Sequence, residues 1–352
     1  MANETGNTIY RVGIIGCGRI ASTIEDETRD ALSYSLLPYS HAGAYERSPR
    51  TQIVAVAETN IERLQAFGQR HGVSNLYADY REMLAREKLD IVSICTPTRG
   101  HQAVALEVAR HPVKGIFLEK PIAQSLDEAD EMIAAFHAAG IKVAVNHTRT
   151  FDPVWGKVRT IIQSGGIGTL RSIFAHWGEG ISFGGTHLFD LLRSLIGDEA
   201  QWVFGTLEPG VHFDAGARGI IGFPNGLQVF VNCIENKGVT SELDIVGTEG
   251  RIRMGNNLYP EYWKTDRSGK RPMSVRLGFP GVTDGRSGML RAVESLIGAI
   301  ENGEKPASDE MDARADMEIT VAFHLSAQKG GPVKLPLAET GYVVADPWGR
   351  DK

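Results

Sequence analysis

Cysteine is scarce in this chain: three residues among 352, Cys17, Cys95 and Cys233, far apart and in apolar or glycine-rich surroundings. Neither a disulfide framework nor a cysteine-built zinc centre fits that pattern, and no metal site is expected. Apolar runs never reach the length of a membrane span, and the opening MANETGNTIY lacks a basic-then-apolar leader pattern. The expectation is a cytoplasmic protein with no membrane partner. Blocks of Lys or Arg are missing too; 37 basic residues stand against 43 acidic ones, a formal charge of −6, which argues against a nucleic-acid partner. No internal repeat or low-complexity tract stands out, and the length suits two domains with ample core.

What the chain does carry near its start is the apolar run Arg11-Val-Gly-Ile-Ile15, followed by Gly16-Cys-Gly18-Arg-Ile-Ala21. A strand ending in Gly-x-Gly-x-x-Ala and opening a helix is a dinucleotide-binding turn. The first glycine permits the reversal, the second lets backbone approach a pyrophosphate, and the small third residue lets helix pack on strand. An acid is then expected at the end of the next strand, and Glu58 ends the run Gln52-Ile-Val-Ala-Val-Ala57. From Ala21 to Glu58 the chain runs 37 residues, against roughly 20 in this fingerprint. The surplus falls on 22–40, an acid-rich stretch with a proline and two tyrosines, Tyr34 and Tyr39. It reads as an insertion at the mouth of the cofactor site, a lid rather than plain surface decoration, with helix resuming near His41 to Tyr45.

Strands are expected at Arg11 to Ile15, Gln52 to Ala57, Asp90 to Cys95, Gly115 to Leu118 and Lys142 to Val145. Helices such as Ile61 to His71 and Ser125 to Ala139 lie between them. This is the rhythm of a doubly wound parallel sheet, whose ligands bind beyond the carboxyl ends of the strands. After the fifth strand a helix at Val154 to Ser164 leads into alternating stretches at Leu170 to Trp177, Leu227 to Ile234 and Glu242 to Val246. Amphipathic helices near Leu290 to Glu301 and Glu310 to Gln328 close the chain. The fold class is thus α/β followed by α+β: a Rossmann domain over 1–147, then an open-faced, mostly antiparallel sheet domain over 148–352. The cleft between two such domains is the default substrate site.

Two residues stand out for chemistry. Lys120 follows a buried strand and precedes Pro121, which keeps it out of a helix. An ammonium there can polarise a substrate oxygen, or it can simply snorkel from a strand end. His187 lies in Phe183-Gly-Gly-Thr-His-Leu-Phe-Asp-Leu-Leu-Arg193, at the mouth of a helix whose Leu188, Leu191, Leu192 and Leu195 form one stripe. Its imidazole suits proton transfer near neutrality, although a histidine beside an apolar stripe is also commonly structural. Asp190, three residues on, either orients the ring or stabilises the helix start. By position, Asn146, Arg149, Trp155, His176 and Trp177 are candidate substrate contacts, and packing is the competing role for each.

Taken in order, the glycine turn, Thr96-Pro97, Glu119-Lys120-Pro121 and the His187 helix resemble the Gfo/Idh/MocA oxidoreductases (glucose-fructose oxidoreductase, inositol dehydrogenase and relatives). The likeness runs from about Tyr10 to Leu337 and includes Phe151-Asp-Pro153 and the closing Gly-Gly-Pro-Val-Lys-Leu-Pro336. It implies a nicotinamide-dependent dehydrogenase that oxidises a secondary hydroxyl of a sugar, sugar derivative or cyclitol. Lys120 would be the polarising lysine and His187 the acid/base. Cofactor contacts are then expected from Gly16, Gly18, Arg19, Ile20, Glu58, Thr96, Pro97, His101, Glu119 and Lys120. Substrate contacts are expected from Asn146, Arg149, Trp155, Phe183, Thr186 and His187. Glu58 favours NAD, since a carboxylate accepts from free ribose hydroxyls and repels a 2′-phosphate; Arg63, one helical turn on, keeps NADP as the lesser option. One position departs from the family pattern: the aspartate usual four residues before the histidine is Phe183 here. Either Glu179, Thr186 or a residue of the 22–40 insertion supplies that polar contact, or Phe183 packs on an apolar face of the substrate. Alternatives on the same scaffold are a redox-neutral glycosidase with held NAD, a non-catalytic NAD-binding regulator, and a nucleotide-sugar ketoreductase. The family also implies a homodimer or homotetramer paired through the second-domain sheet.

Overall fold

Capping residues and β-branched runs lay out the elements, seen in a computed structural model that describes residues 8–28, 37–209, 214–234, 241–255, 260–281 and 284–345. The first stretch contains β1 (Tyr10–Ile15), a π-helical turn (Arg19–Thr23), α1 (Ile24–Thr28), α2 (His41–Arg47), β2 (Thr51–Ala57) and α3 (Ile61–His71). It continues with β3 (Asn75–Tyr77), α4 (Tyr80–Arg86), β4 (Ile91–Ile94), α5 (His101–Val108), β5 (Gly115–Leu118), α6 (Leu126–Ala139), β6 (Lys142–Val145) and α7 (Thr148–Phe151). Next come α8 (Pro153–Gln163), β7 (Leu170–Trp177), α9 (Gly184–Ile196), β8 (Trp202–Leu207), β9 (Ala217–Gly222), β10 (Gln228–Cys233) and β11 (Ser241–Gly247). The chain ends with β12 (Gly250–Met254), β13 (Glu261–Asp266), β14 (Met273–Leu277), α10 (Gly288–Asn302), α11 (Glu310–Lys329) and β15 (Val333–Lys334). Side-chain oxygens of Ser40, Asn60, Asp79, Ser125, Asp152 and Ser287 accept from first-turn amides of α2, α3, α4, α6, α8 and α10, which defines where those helices start.

The chain forms two units, one of 1–151, 285–314 and 348–352, the other of 152–284 and 315–347. A single cut after residue 147 therefore does not describe the division, because α10 returns to the first unit. The reason lies in the packing. Leu296 and Ile300 lie against β5 so closely that a Cβ on Gly115 would sit 2.8 Å from Ile300 Cδ1. Met289, Val293 and Leu296 join Val12, Ile14, Ile91 and Phe117 in one apolar core.

In the first unit all six strands run parallel in the order β3-β2-β1-β4-β5-β6. The order in which strands are added reverses between β1 and β4, the switch point where open α/β sheets bind ligands. The 22–40 insertion is partly helical. Glu25 Oε1 accepts from the Tyr39 amide, the Ser40 amide and the Ser40 hydroxyl at 3.0, 3.0 and 2.7 Å. Arg70 grips Asp26 through two hydrogen bonds of 2.6 and 2.7 Å. Tyr34, expected on the insertion, lies outside the described residues.

The second unit holds a nine-stranded sheet, β14-β13-β12-β11-β7-β10-β9-β8-β15, antiparallel except for the parallel pair β7 and β10. One face carries the core, with Trp155 and Val158 of α8, the α9 leucine stripe and Phe323 packed on Ile173, Ala175, Val229 and Val231. The other face is open: Phe174 and Phe204 are exposed, and the Phe174 and Phe230 rings stack at 4.6 Å. Among the described residues no helix is long and apolar enough to cross a membrane.

Candidate active site

The loop after β1 is built around two glycines with different tasks. Gly16 has φ +94°, and a Cβ there would lie 2.8 Å from the Cys95 carbonyl oxygen, so only glycine fits. Gly18 has an ordinary φ of −72°, and its missing Cβ faces open space. No packing demand explains the second glycine, whereas a diphosphate lying against bare backbone does. The site passes the test for a dinucleotide at that point. Glu58 is fixed beside the loop: one carboxylate oxygen accepts the Cys17 amide at 2.9 Å and the other the Asn60 amide at 2.9 Å. Burial, reinforced by the Glu58 charge, pushes the Cys17 thiol up to about 12, so it stays protonated. Arg19, expected to touch cofactor, forms an exposed pair with Glu27 at 2.7 Å, and Ile20 packs on the first-unit core.

At the ends of β4, β5 and β6 the predicted residues come together. Glu119 is buried; its Oε1 accepts from His41 Nε2 at 2.9 Å and Asn146 Nδ2 at 2.6 Å, while Oε2 lies 3.3 Å from the Lys120 amide. Burial alone would raise its carboxyl, but the His41 and Asn146 hydrogen bonds and the Lys120 charge outweigh that and hold it below the usual carboxylate range. Lys120 itself is only 8% exposed. Two buried polar atoms nearby, Thr96 Oγ1 and Asn146 Oδ1, have no hydrogen-bond partner among the described residues. Such orphans are rare and fit a site completed by ligand groups. Pro97 is exposed at the rim of the same loop.

His101 has a different task from the expected one. Fully buried, it places Nε2 2.9 Å from the Thr96 carbonyl and Nδ1 3.0 Å from that of Pro121, tying the β4 loop to the β5 loop. Burial lowers its pKa, leaving a neutral ring. It is a latch behind the loops: the neutral ring has one N–H to donate to one of these carbonyls, and its other nitrogen lies against the second. Arg149 is half-buried on α7.

His187 sits in the first turn of α9, 8% exposed. The loop leading to it is held by Asp214, whose Oδ1 accepts the Ser182 and Phe183 amides at 2.9 and 2.8 Å. Gly184 leaves room for Glu179: a Cβ there would lie 2.1 Å from Glu179 Oε2. The Thr186 hydroxyl donates to the Phe183 carbonyl at 3.0 Å, and Phe183 is half-buried. Trp155 and Trp177 are core residues of this unit, 3% and 1% exposed, which makes packing their role. His176 lies on the open sheet face, 2.9 Å from Asn232 Nδ2.

Sequence reasoning missed His41 and Asp214. Position gives a weak cue to His41, as it opens the helix at which the pattern resumes after the insertion; Asp214 has no sequence cue.

Strand order, glycine turn and the anchored acid after β2 define a dinucleotide-binding protein of the Rossmann class. Comparison with known proteins narrows the class. Residues 10–147 match the Gfo/Idh/MocA family model, described as an oxidoreductase family with NAD-binding Rossmann fold. It is similar to myo-inositol 2-dehydrogenase of Thermotoga maritima, 24% identical over 92% of this chain and 98% of the relative. It is also similar to D-glucoside 3-dehydrogenase of Escherichia coli, 25% identical over 95% and 100%. Among solved structures, levoglucosan dehydrogenase in complex with NADH shares the fold at TM-score 0.75, with 21% identity and coverage of 94% and 100%.

Proposed function

We propose that this protein is an NAD-dependent dehydrogenase that reversibly oxidises a secondary hydroxyl of a sugar, sugar derivative or cyclitol to a ketone. The observation that carries the reading is the buried Glu119 and Lys120 at the end of β5, flanked by the orphaned Thr96 and Asn146 atoms. The names of the related proteins, dehydrogenases of inositol and of a glucoside, support the substrate class. NAD, when bound, supplies the hydride acceptor. Lys120 donates to the carbinol oxygen and stabilises negative charge as it develops there. The hydroxyl proton passes to the His187 imidazole, which returns it in the reverse direction. Thr186 spends its hydroxyl on backbone, so Phe183 is assigned an apolar substrate contact. Glu58, held by two amides, accepts from ribose hydroxyls and selects NAD over NADP. Exposed Phe174, stacked on half-buried Phe230, supports a homo-oligomer paired through the open sheet face.

The test is NADH absorbance with NAD or NADP and a panel of pyranoses, anhydrosugars, inositols and sugar acids. Turnover with NAD and release of a ketone are expected. Bound NAD with no NADH formed, accompanied by aglycone release from glycosides, would contradict the dehydrogenase reading.

A further inference from the structure

The insertion rejoins the first unit by a buried path that ends on Glu119. Glu25 holds the Tyr39 and Ser40 amides and the Ser40 hydroxyl, and Ser40 Oγ in turn accepts the Gly43 amide at 3.0 Å. His41 is the first residue of the helix so capped, and it is completely buried. Its Nδ1 lies 2.9 Å from Ser93 Oγ, which lies 2.7 Å from the Tyr45 hydroxyl; its Nε2 lies 2.9 Å from Glu119 Oε1. The Phe117 ring, 4.3 Å away, backs the imidazole. Because an ionised carboxylate only accepts, Nε2 donates to Glu119, while Nδ1 is hydrogen-bonded to the Ser93 hydroxyl. A hydroxyl, an imidazole and a carboxylate thus form one hydrogen-bonded chain leading to the residue beside Lys120.

We propose that His41 is a positioning residue for hydride transfer: it fixes the Glu119 carboxylate next to Lys120 and couples that lysine's electrostatic setting to the anchored end of the 22–40 insertion. The inference rests on the role assigned to Lys120 above. The groups facing Glu119 are His41 from α2, Lys120, Asn146 after β6, Cys95 after β4 and His101 from α5. Burial keeps Cys95 protonated and His101 neutral, so Glu119 is held as a carboxylate by His41, Lys120 and Asn146. Removing the His41 donor raises the Glu119 carboxyl from its lowered value. As pH falls through that raised value Glu119 protonates and Lys120 loses its counter-charge, moving the acid limb of the kcat/KM profile to higher pH.

The experiment compares His41→Leu, His41→Asn, His41→Gln and Lys120→Ala with wild type, using NAD, a substrate that wild type turns over, and NAD affinity by fluorescence titration. His41→Leu and His41→Asn, which cannot reach Glu119 with a donor, should lose about tenfold in kcat and shift the acid limb up by about one pH unit while still binding NAD. His41→Gln, whose amide reaches Glu119, should restore the limb and keep kcat within about threefold of wild type. A wild-type limb in His41→Asn overturns the inference, as does loss of NAD binding in that variant, or a His41→Gln protein that rescues nothing. If Lys120→Ala still turns over, the assignment of Lys120 has failed. If Lys120→Ala is dead and His41→Asn normal, the His41 inference alone has failed.

Discussion

Lys120 and His187 are held by opposite means. Lys120 stands at a strand end among buried polar groups, with Glu119 accepting from His41 and Asn146 at 2.9 and 2.6 Å. His187 stands on a helix whose grip on its sheet is apolar, through Leu188, Leu191, Leu192 and Leu195, with one carboxylate, Asp214, fixing the loop before it. Buried polar networks fail by losing a single partner, whereas apolar faces fail in proportion to the volume removed. The first group should therefore respond to charge and pH and to loss of any one partner, and the second to packing.

Substitutions can break or sharpen that contrast. The largest effect is expected from Gly16→Val, which sets a side chain into the Cys95 backbone at a positive φ; thermal unfolding should show a loss of at least about 3 kcal/mol. Leu191→Ala, in the α9 stripe, should cost about 2–5 kcal/mol by denaturant titration. Asp214→Ala, which frees the Ser182 and Phe183 amides, should cost about 1–2 kcal/mol, and Asp214→Asn much less because an acceptor remains. Gly18→Val faces open space, so its melting temperature should stay near wild type while NAD affinity falls by about thirtyfold or more. Equal loss of stability at Gly16 and Gly18 would contradict the separate tasks given to the two glycines.

How much of this was legible in the sequence follows the same division. Strands buried on both faces write themselves as β-branched runs, so β1, β2, β4, β5 and β6 were expected nearly as found; β3, three residues long, is too short to show a period. In the second unit β8 and β9 are interrupted by Gly205 and Gly219, glycines that exist because Phe323 of α11 lies on them, with a Cβ at Gly205 only 2.3 Å from its ring. Such a contact joins residues more than a hundred positions apart and leaves no local trace. Strand β14, at the sheet edge, is exposed throughout and β13 beside it has no buried residue, so neither shows an inward-facing period, while β12 alternates with Ile252 and Met254 buried but is only five residues long. The glycines, Glu58 and Lys120 declare themselves because local backbone chemistry requires them. His41 does not, since the insertion displaces it from the glycine turn and its partners Ser93 and Glu119 come from other strand ends.

The central claim is that Lys120 and His187 serve one hydride transfer. Its most direct measurement is the single-turnover rate of NADH formation by NAD-saturated Lys120→Ala and His187→Ala, with the best substrate of the panel. Both rates should fall at least about a hundredfold with NAD affinity retained. A wild-type rate in either variant would contradict the account.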